Sequence, residues 1–483
     1  MSGRPAPPRG LRLEAHKSRP LEQSLRAAPG PRIAILALDQ GSGEDAEPLV
    51  RPGSRVRVGT CIARGEGAAT NVHASVAGIV REIATRPTLR GAGRCVVIDN
   101  DGSDEPEPTA GPLDWRALDG PTLIARLQDA GIAGLGGAAF PTAAKLGVAR
   151  AHAVEHLLLN GAECEPWICC DDVLMRERAA DVVLGAQVML AASGASRCTL
   201  AIEDDKPAAA AALETALAAA ADTRLELRVL PAIYPLGAER QLIAAVTGRE
   251  VPHDALPPAA GILCQNVGTA AAVARCVTTG EPAVSRIVTV TGSGVAHPAN
   301  LEARIGTPVA ELIAACGGYQ GTPMRLVAGG SFTGRALADD AVPVTKGVNC
   351  VLAATVADLG VRAPEWPCIR CGDCAGVCPA GLLPQELHRA AQADDRAGFA
   401  RFGLADCIEC GCCDYVCPSH IPLTARFRAA RERMDLIDAE QRRAALAKER
   451  FARHQGRLAE QAAAERREFE AARRRARGDP GTD

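Results

Sequence analysis

The chain has 483 residues, of which 47% are apolar and 23% charged, with a formal net charge of −3; it is therefore neither disordered throughout nor a strongly charged polyion. At roughly 100–200 residues per domain this length implies about three or four domains, and an aromatic share of only 3% leaves Ala, Val and Leu to fill their cores. The N-terminal stretch lacks a signal-type apolar run, and the alanine-rich run 208–221 is broken by Glu214, so no bilayer-spanning segment is expected and the 19 cysteines are expected in a reducing compartment, where disulfides are rare.

In chain order, residues 1–30 open with a Pro- and Arg-rich stretch without periodicity and read as a flexible or loosely docked arm. Residues 31–104 carry short β-type runs (32–38, 55–58, 78–83, 94–98) punctuated by Gly, the pattern of a small all-β domain. A linker is expected over 102–113. Residues 114–280 alternate between the two periodicities. Helices are predicted at 122–130 (with Pro121 at its start), 171–192, 207–221, 239–246 and 269–276, and strands at 154–159, 197–203, 225–230 and 261–265. Such alternation predicts a mostly parallel sheet covered on both faces. Residues 281–352 return to β-rich patterning (286–291, 324–327) with one helix near 308–316. Residues 360–424 hold two cysteine runs. Residues 425–477 read as a long charged helix with 16 basic and nine acidic residues, net +7. Mixed signs four apart suit a solvated helix, and its few apolar residues form no continuous stripe for a membrane surface. No aromatics are interleaved with the arginines, so nucleic acid is not an expected partner.

Nine of the cysteines crowd into 368–417. They spell C-x2-C-x2-C-x3-C-P twice: Cys368, Cys371, Cys374, Cys378-Pro379, then Cys407, Cys410, Cys413, Cys417-Pro418. This is the bacterial two-cluster [4Fe–4S] run, in which three thiolates wrap one cubane and the fourth belongs to the other. Cys368, Cys371, Cys374 and Cys417 are expected on one cluster, and Cys407, Cys410, Cys413 and Cys378 on the second. Structural zinc is the competing reading, but zinc sites bring separate Cys pairs, whereas here a third Cys follows at once and the unit repeats. Cys412 falls outside the ligand spacing and reads as a spectator. The ten scattered cysteines read as small buried apolar residues.

Four glycines, Gly131, Gly134, Gly136 and Gly137, precede a helix beginning near Pro141. Glycine lets a backbone approach a ligand closely, and a helix N-terminus favours an anion. Lys145, one of only five lysines, lies one turn into that helix, where it can reach a phosphate. The loop follows a helix and not a strand, so it fails the dinucleotide fingerprint. The strand at 154–159 ends in Asn160, Glu163 and Glu165, followed by Asp171 and Asp172; the strand at 261–265 ends in Asn266 and Thr269. Parallel sheets bind ligands at such carboxyl ends, and these side chains suit ring and ribose hydrogen bonds. A metal site, or capping of the helix at Asp171, are the alternatives for the acidic group.

The motifs GLGGAAFPTAAKL, NGAECEPWICCDDVLMRE, YPLGAERQLI, VTGREVP, QNVGTAAA, VTVTGSGV and RIGTPV, with the two cysteine runs, occur in that order. In this they resemble the RnfC family, a component of the Rnf (also called Rsx) electron-transport complex related to the flavin subunit of respiratory complex I. The resemblance covers residues 15–430. It implies four modules: a lipoyl-like barrel-sandwich over 31–104, a parallel-sheet flavin domain over 114–280, an SLBB-like β-grasp over 281–352 and a ferredoxin-like two-cluster domain over 360–424. No lysine lies between Lys17 and Lys145, so the barrel cannot carry lipoate or biotin. The resemblance further implies noncovalent FMN, two [4Fe–4S] clusters and NADH as substrate. Gly134, Gly136, Gly137 and Lys145 would cradle the flavin phosphate. Asn160, Glu163, Glu165, Asn266 and Thr269 would line flavin and nicotinamide, with Gly237 and Glu239 nearby, and Glu163 and Glu165 would position the nicotinamide at the catalytic centre.

The implied setting is peripheral, on the cytoplasmic face of the bacterial inner membrane, with membrane contact through integral and iron–sulfur partner subunits and electrons passed to ferredoxin or an equivalent carrier. A soluble cobalamin reductase of the propanediol-utilisation type, or a docking subunit with an inactive flavin site, are the competing functions. Two departures from the family pattern stand out. Ala139 replaces a usual Gly, where its methyl would crowd the flavin loop, and Gly329–Gly334 replaces a GGPMMG loop.

Overall fold

The computed structural model describes residues 9–41, 43–108, 111–252, 254–361 and 363–478, which fall into two compact units. The first comprises residues up to 382 together with 410–421, and the second comprises 383–409 and residues from 422 onward.

In the first unit, strands Ile33–Ala37, Arg55–Val56, Gly78–Thr88 and Gly91–Asn100 make an antiparallel sheet, and Glu47–Pro48, Cys61–Arg64 and Val72–His73 a smaller one. The two share a core of Leu36, Ile62, Val72, Val80 and Ile98, which is the barrel-sandwich. The expected linker packs against it in its described part: Val58 bridges Pro106 and Arg57 pairs with Glu105. Its residues 109 and 110 lie outside the described residues.

The next module contains helices α1 (Gly120–Asp129), α2 (Thr142–Ala151), α3 (Cys170–Glu177), α4 (Ala179–Ser193), α5 (Pro207–Ala220), α6 (Glu239–Thr247) and α7 (Val267–Thr279). Its four strands are β1 (His156–Gly161), β2 (Arg197–Glu203), β3 (Leu225–Leu230) and β4 (Ile262–Asn266). Asp119 caps α1 by accepting from the Thr122 N–H, with Pro121 in the first turn. All strand pairs are parallel, in the order β3-β2-β1-β4. Leu157 and Leu159 enter one core and Leu158 another, so side chains pointing to opposite faces of one strand are both buried. The single helix expected over 171–192 is two helices, broken at Arg178 (φ −132°). The Arg178 guanidinium binds Glu302 at 2.5 Å, a tertiary ion pair that helical periodicity does not reveal.

The β-grasp module contains β5 (Ser285–Thr291), β6 (Ala299–Arg304), α8 (Val309–Ala315), β7 (Arg325–Ala328), β8 (Arg335–Ala336) and β9 (Cys350–Ala354). Its mixed sheet takes its outermost strand from the N-terminal segment: Arg26–Ala27 pairs in parallel with β6. The expectation of a flexible arm is therefore corrected for residues 9–30. Leu11 bridges Tyr234, the Trp167 N–H donates to the Ala15 carbonyl at 2.9 Å, His16 stacks on Trp167 at 4.4 Å, and the Lys17 ammonium donates to the Glu163 carbonyl at 2.6 Å. Backbone pairing at a sheet edge needs no hydrophobic periodicity, which is why composition misreads it. Residues 1–8 of that expectation lie outside the described residues.

In the second unit, the helix Pro384–Ala393 packs on the root of a 54-residue helix, Leu423–Ala476, burying Leu387, Ala390, Phe427 and Ala430. At 1.5 Å per residue the long helix spans about 80 Å, and beyond residue 440 it is almost wholly exposed. Among the described residues no helix is long and apolar enough to cross a membrane.

Lys346 is 1% exposed and joins three parts of the first unit. Its ammonium donates to the carbonyls of Asn71 in the barrel and Gly131 at the root of the glycine loop, both at 2.7 Å. Its backbone N–H donates to Gln40. Burial pushes the amine from its ordinary 10.5 down to about 7, with Cys61 acting in the opposite direction. His73 beside it is held near 3 by burial and by the same amine. Because the folded protein releases this proton more readily than the unfolded chain, the unfolded state binds more protons between about pH 7 and 10.5, and stability contributed by this group rises with pH across that window. The wild type should therefore gain stability relative to Lys346→Met as the pH is raised from 7 to 10 in a series of thermal melts. At every pH Lys346→Met should be the less stable protein, since it strands two buried carbonyls at about 1–3 kcal/mol each.

Candidate functional site

The strand order reverses between β1 and β4, the position at which open α/β sheets bind ligands. Asn160 and Asn266 are register partners there, at the carboxyl ends of the two strands. The Asn160 amide donates to the Gly237 carbonyl at 2.8 Å while its oxygen accepts from the Ala162 N–H. Asn266 caps α7 through the N–H groups of Gly268 and Thr269 and donates to Asp171 at 2.6 Å. The Thr269 hydroxyl accepts from the Leu135 N–H, which ties the glycine loop to α7.

Within that loop the Gly134 N–H donates to the Phe140 carbonyl and the Ala139 N–H to the Gly134 carbonyl, closing a turn whose tip, 136–138, is exposed. Gly136 lies against Asn266, where a Cβ would come within 3.2 Å. Gly137 has φ +113°, and nothing lies within 4 Å of where its Cβ would stand. Among the described residues, the N–H groups of Gly136, Gly137 and Ala138 find no protein acceptor. Lys145, half-buried on α2, donates to Glu239 at 2.9 Å and to the Cys264 carbonyl at 3.3 Å. Open N–H groups on a glycine turn beside an ammonium form a cradle that fits an anion. The methyl of Ala139 does not crowd it. That residue is buried and faces the other way, 2.8 Å from where a Cβ of Gly41 would stand and 3.5 Å from one on Gly347.

The resemblance implies that Glu163 and Glu165 line the nicotinamide; in the structure both carboxylates accept from backbone N–H groups. Glu163 (φ +48°) accepts from the N–H groups of Asp171 at 2.7 Å and Asp172 at 3.1 Å, so it caps α3. Glu165 accepts from the N–H groups of Phe332 and Thr333, both at 2.8 Å, and from the Thr333 hydroxyl at 2.6 Å. Burial raises the Glu163 carboxyl above its ordinary range, and burial followed by Glu163 pushes Asp171 up to about 7. Ligand atoms of Glu163, Cys170 and Asp171 lie within 4.8 Å of one another. Because the Glu163 oxygens already serve N–H groups and Asp171 serves Asn266, capping is the reading that the geometry favours over a metal site. A cavity of about 410 Å³ adjoins this turn between α7 and β5, lined by Leu135, Cys170 and Asp171 as well as Arg178, Arg275 and Glu302. Arg178 and Arg275 both pair with Glu302, and the cavity does not include the tip of the glycine loop.

The two cysteine runs fold alike. Arg370 (φ +58°) and Glu409 (φ +55°) precede the second cysteine of each run, and Gly372 (φ +87°) and Gly411 (φ +76°) follow it. Each glycine starts a one-turn helix, Asp373–Gly376 and Cys412–Tyr415, and these two turns pack together. Repeated left-handed residues curl the backbone around one point, as a cubane ligated by closely spaced thiolates requires. Cys378, Cys410 and Cys413 are buried. Cys368 and Cys371 are exposed. The Tyr234 hydroxyl donates to the Cys410 carbonyl at 2.6 Å.

Four family models match separate segments: the RnfC barrel sandwich hybrid domain over residues 7–103, the Nuo51 FMN-binding domain over 127–275, the SLBB domain over 287–336 and the 4Fe-4S dicluster domain over 367–421. The RnfC component of an ion-translocating oxidoreductase complex from Yersinia pestis bv. Antiqua is 42% identical over 441 residues, covering 90% of this chain and 70% of that relative. The chain belongs to the RnfC family of ion-translocating oxidoreductase complexes. The Pseudomonas aeruginosa relative of the same name is 44% identical over 95% of this chain and 59% of its own length. The chain spans 56–70% of the length of the curated RnfC relatives it matches. A solved NAD+-reducing [NiFe]-hydrogenase in the H2-reduced state is 22% identical, with a TM-score of 0.46 over 65% of this chain and 64% of that chain.

Three residues of this RnfC-family chain that shape the site are not singled out by sequence reasoning: Lys17, Tyr234 and Phe332. Tyr234 opens the YPLGAERQLI motif, and the scarcity of lysine points to Lys17, but the partners of all three lie far along the chain. If Glu163 acts as a cap, Glu163→Ala should lower stability by about 1–2 kcal/mol in urea melts, with Glu163→Gln losing less because one acceptor oxygen remains. Unchanged stability in Glu163→Ala would instead return this carboxylate to a substrate-facing role.

Proposed function

We propose that this chain is the electron-input subunit of an Rnf-type complex, peripheral on the cytoplasmic face of the bacterial inner membrane. It would accept hydride from NADH at a noncovalent FMN and deliver electrons singly, through two [4Fe–4S] clusters, to integral membrane and iron–sulfur partner subunits and on to ferredoxin or an equivalent carrier. Bound FMN and the clusters would supply the conversion from two-electron to one-electron chemistry.

The observation that carries this reading is segment 234–239, which touches both halves of the machinery. Tyr234 holds the Cys410 carbonyl, Gly237 holds Asn160 at the sheet switch point, and Glu239 holds Lys145. The contacts to a cysteine turn and to the anion cradle thus lie five positions apart.

The roles of the residues follow from their surroundings. Gly137 and its neighbours Gly134 and Gly136 offer N–H groups and close approach to a phosphate, and Lys145 offers a cation that exchanges Glu239 for it. Asn160, Asn266 and Thr269 hold the strand ends and the loop in register, so the cradle is fixed before a ligand arrives. Glu163 and Glu165 position the turn after β1 through backbone N–H groups and do not themselves touch the ligand. Cys378, Cys410 and Cys413 are assigned to one cluster, with Cys407 joining them by sequence spacing; Cys368, Cys371, Cys374 and Cys417 are assigned to the other. Burial of the first set beside Tyr234, and exposure of Cys368 and Cys371, support the order flavin, then Cys410 cluster, then Cys368 cluster, then partner.

Reconstituted protein should carry FMN and about eight irons per chain, and NADH should bleach the flavin absorbance anaerobically. Absence of bleaching would remove NADH as the donor. Lys145→Met should weaken FMN binding by roughly 10–100-fold, the loss of one charge-assisted hydrogen bond, as read by flavin fluorescence titration.

A further inference from the structure

The hairpin loop Gly329–Gly334 between β7 and β8 departs most from the family pattern, yet it bridges the acidic turn and a cysteine turn. On one side it is clamped by Glu165, whose carboxylate takes the N–H groups of Phe332 and Thr333 and the Thr333 hydroxyl. A Cβ on Gly330 would collide with that carboxylate, so glycine is required there. On the other side the Phe332 ring lies 4.7 Å from the Tyr234 ring and 5.8 Å from the Tyr415 ring, centroid to centroid. Its edge comes within 3.2 Å of where a Cβ of Gly411 would stand. Gly411 follows Cys410, whose carbonyl accepts from the Tyr234 hydroxyl.

We propose that Phe332 and Tyr234 are positioning residues for the iron–sulfur cluster bound through Cys410. Phe332 shields the Gly411 peptide from water, Tyr234 neutralises the Cys410 carbonyl, and Glu165 fixes the Phe332 contact by holding the loop. A carboxylate at the end of the sheet thereby acts on the cluster through the hairpin, without touching it. This inference rests on the reading that the cysteine runs hold [4Fe–4S] clusters.

The two contacts act on the cluster potential with opposite signs. A reduced cluster carries one more negative charge, and solvent exposure and nearby dipoles tune how readily it is accepted. Opening the Gly411 peptide to water stabilises the added charge and raises the potential. Removing the tyrosine hydroxyl leaves the negative end of the Cys410 carbonyl dipole uncompensated and lowers it.

The test is an EPR-monitored redox titration of the full reconstituted chain. Phe332→Ala should shift one of the two cluster signals to higher potential and leave the other in place. Phe332→Leu, which keeps an apolar cover, should stay near the wild type. Tyr234→Phe should shift the same signal to lower potential, and Glu165→Gln should move it in the direction of Phe332→Ala. Wild-type potentials in both Phe332→Ala and Tyr234→Phe, or parallel shifts of both clusters in either variant, would overturn the proposal. A wild-type chain that binds no cluster would instead overturn the underlying cofactor reading, so the two failures are distinguishable.

Discussion

An amine taken out of water must find oxygen acceptors, and Lys346 finds them only where three modules meet. Neither the barrel, the glycine loop nor the β-grasp alone can satisfy it; Asn71 and Gly131 each supply one carbonyl, and Gln40 secures the backbone beside it. Arg286, also buried, adds a second tie by donating to the Lys346 and Leu135 carbonyls. Leaving such donors unpaired in the interior is costly, so these bonds tie the modules together at the root of the glycine loop. Ala139 packing against Gly41 and Gly347 tightens the same junction. What remains open is the loop tip at Gly136–Ala138, the part a ligand would use.

The same economy governs the turn after β1. Glu163 and Trp167 both hold left-handed backbone, with φ of +48° and +74°, a conformation that non-glycine residues keep only when their surroundings impose it. The surroundings here are specific: Lys17 binds the Glu163 carbonyl, the Glu163 carboxylate caps α3, the Trp167 N–H binds Ala15, and His16 stacks on the Trp167 ring. The N-terminal segment is thus part of the wall of the site. The Glu163 and Glu165 carboxylates shape backbone here, through the N–H groups of Asp171, Asp172, Phe332 and Thr333.

Much of this architecture is legible in the sequence because it depends on local pattern. Strands 197–203 and 225–230 are read to the residue, since alternating apolar runs bounded by turn residues have few other interpretations. The pairing of Asn160 with Asn266 follows from both standing at the ends of parallel strands. The duplicated turns around Gly372 and Gly411 are readable from cysteine spacing. The unread part is carried by long-range contacts. Glu165 finds its acceptor role 167 residues away at Phe332, and Tyr234 its partner 176 residues away at Cys410. Arg178, where the helix breaks, finds its partner Glu302 124 residues on. No periodicity within these segments encodes such pairs, so composition assigns a docked segment to a mobile arm.

These distant pairs also explain why the flavin-type module and the cysteine turns need not be joined by a rigid linker. Electron transfer between centres depends on a maintained separation, and a chain stretch as long as that between β4 and the first cysteine run cannot maintain one through its own covalent geometry. The structure instead holds the Cys410 turn from two directions, by the Tyr234 hydroxyl from the segment that also supports Asn160 and Lys145, and by the Phe332 ring on a loop clamped by Glu165. Both tethers start at the carboxyl edge of the parallel sheet. A displacement of that edge would move the anion cradle and the cysteine turn together and preserve the distance between them.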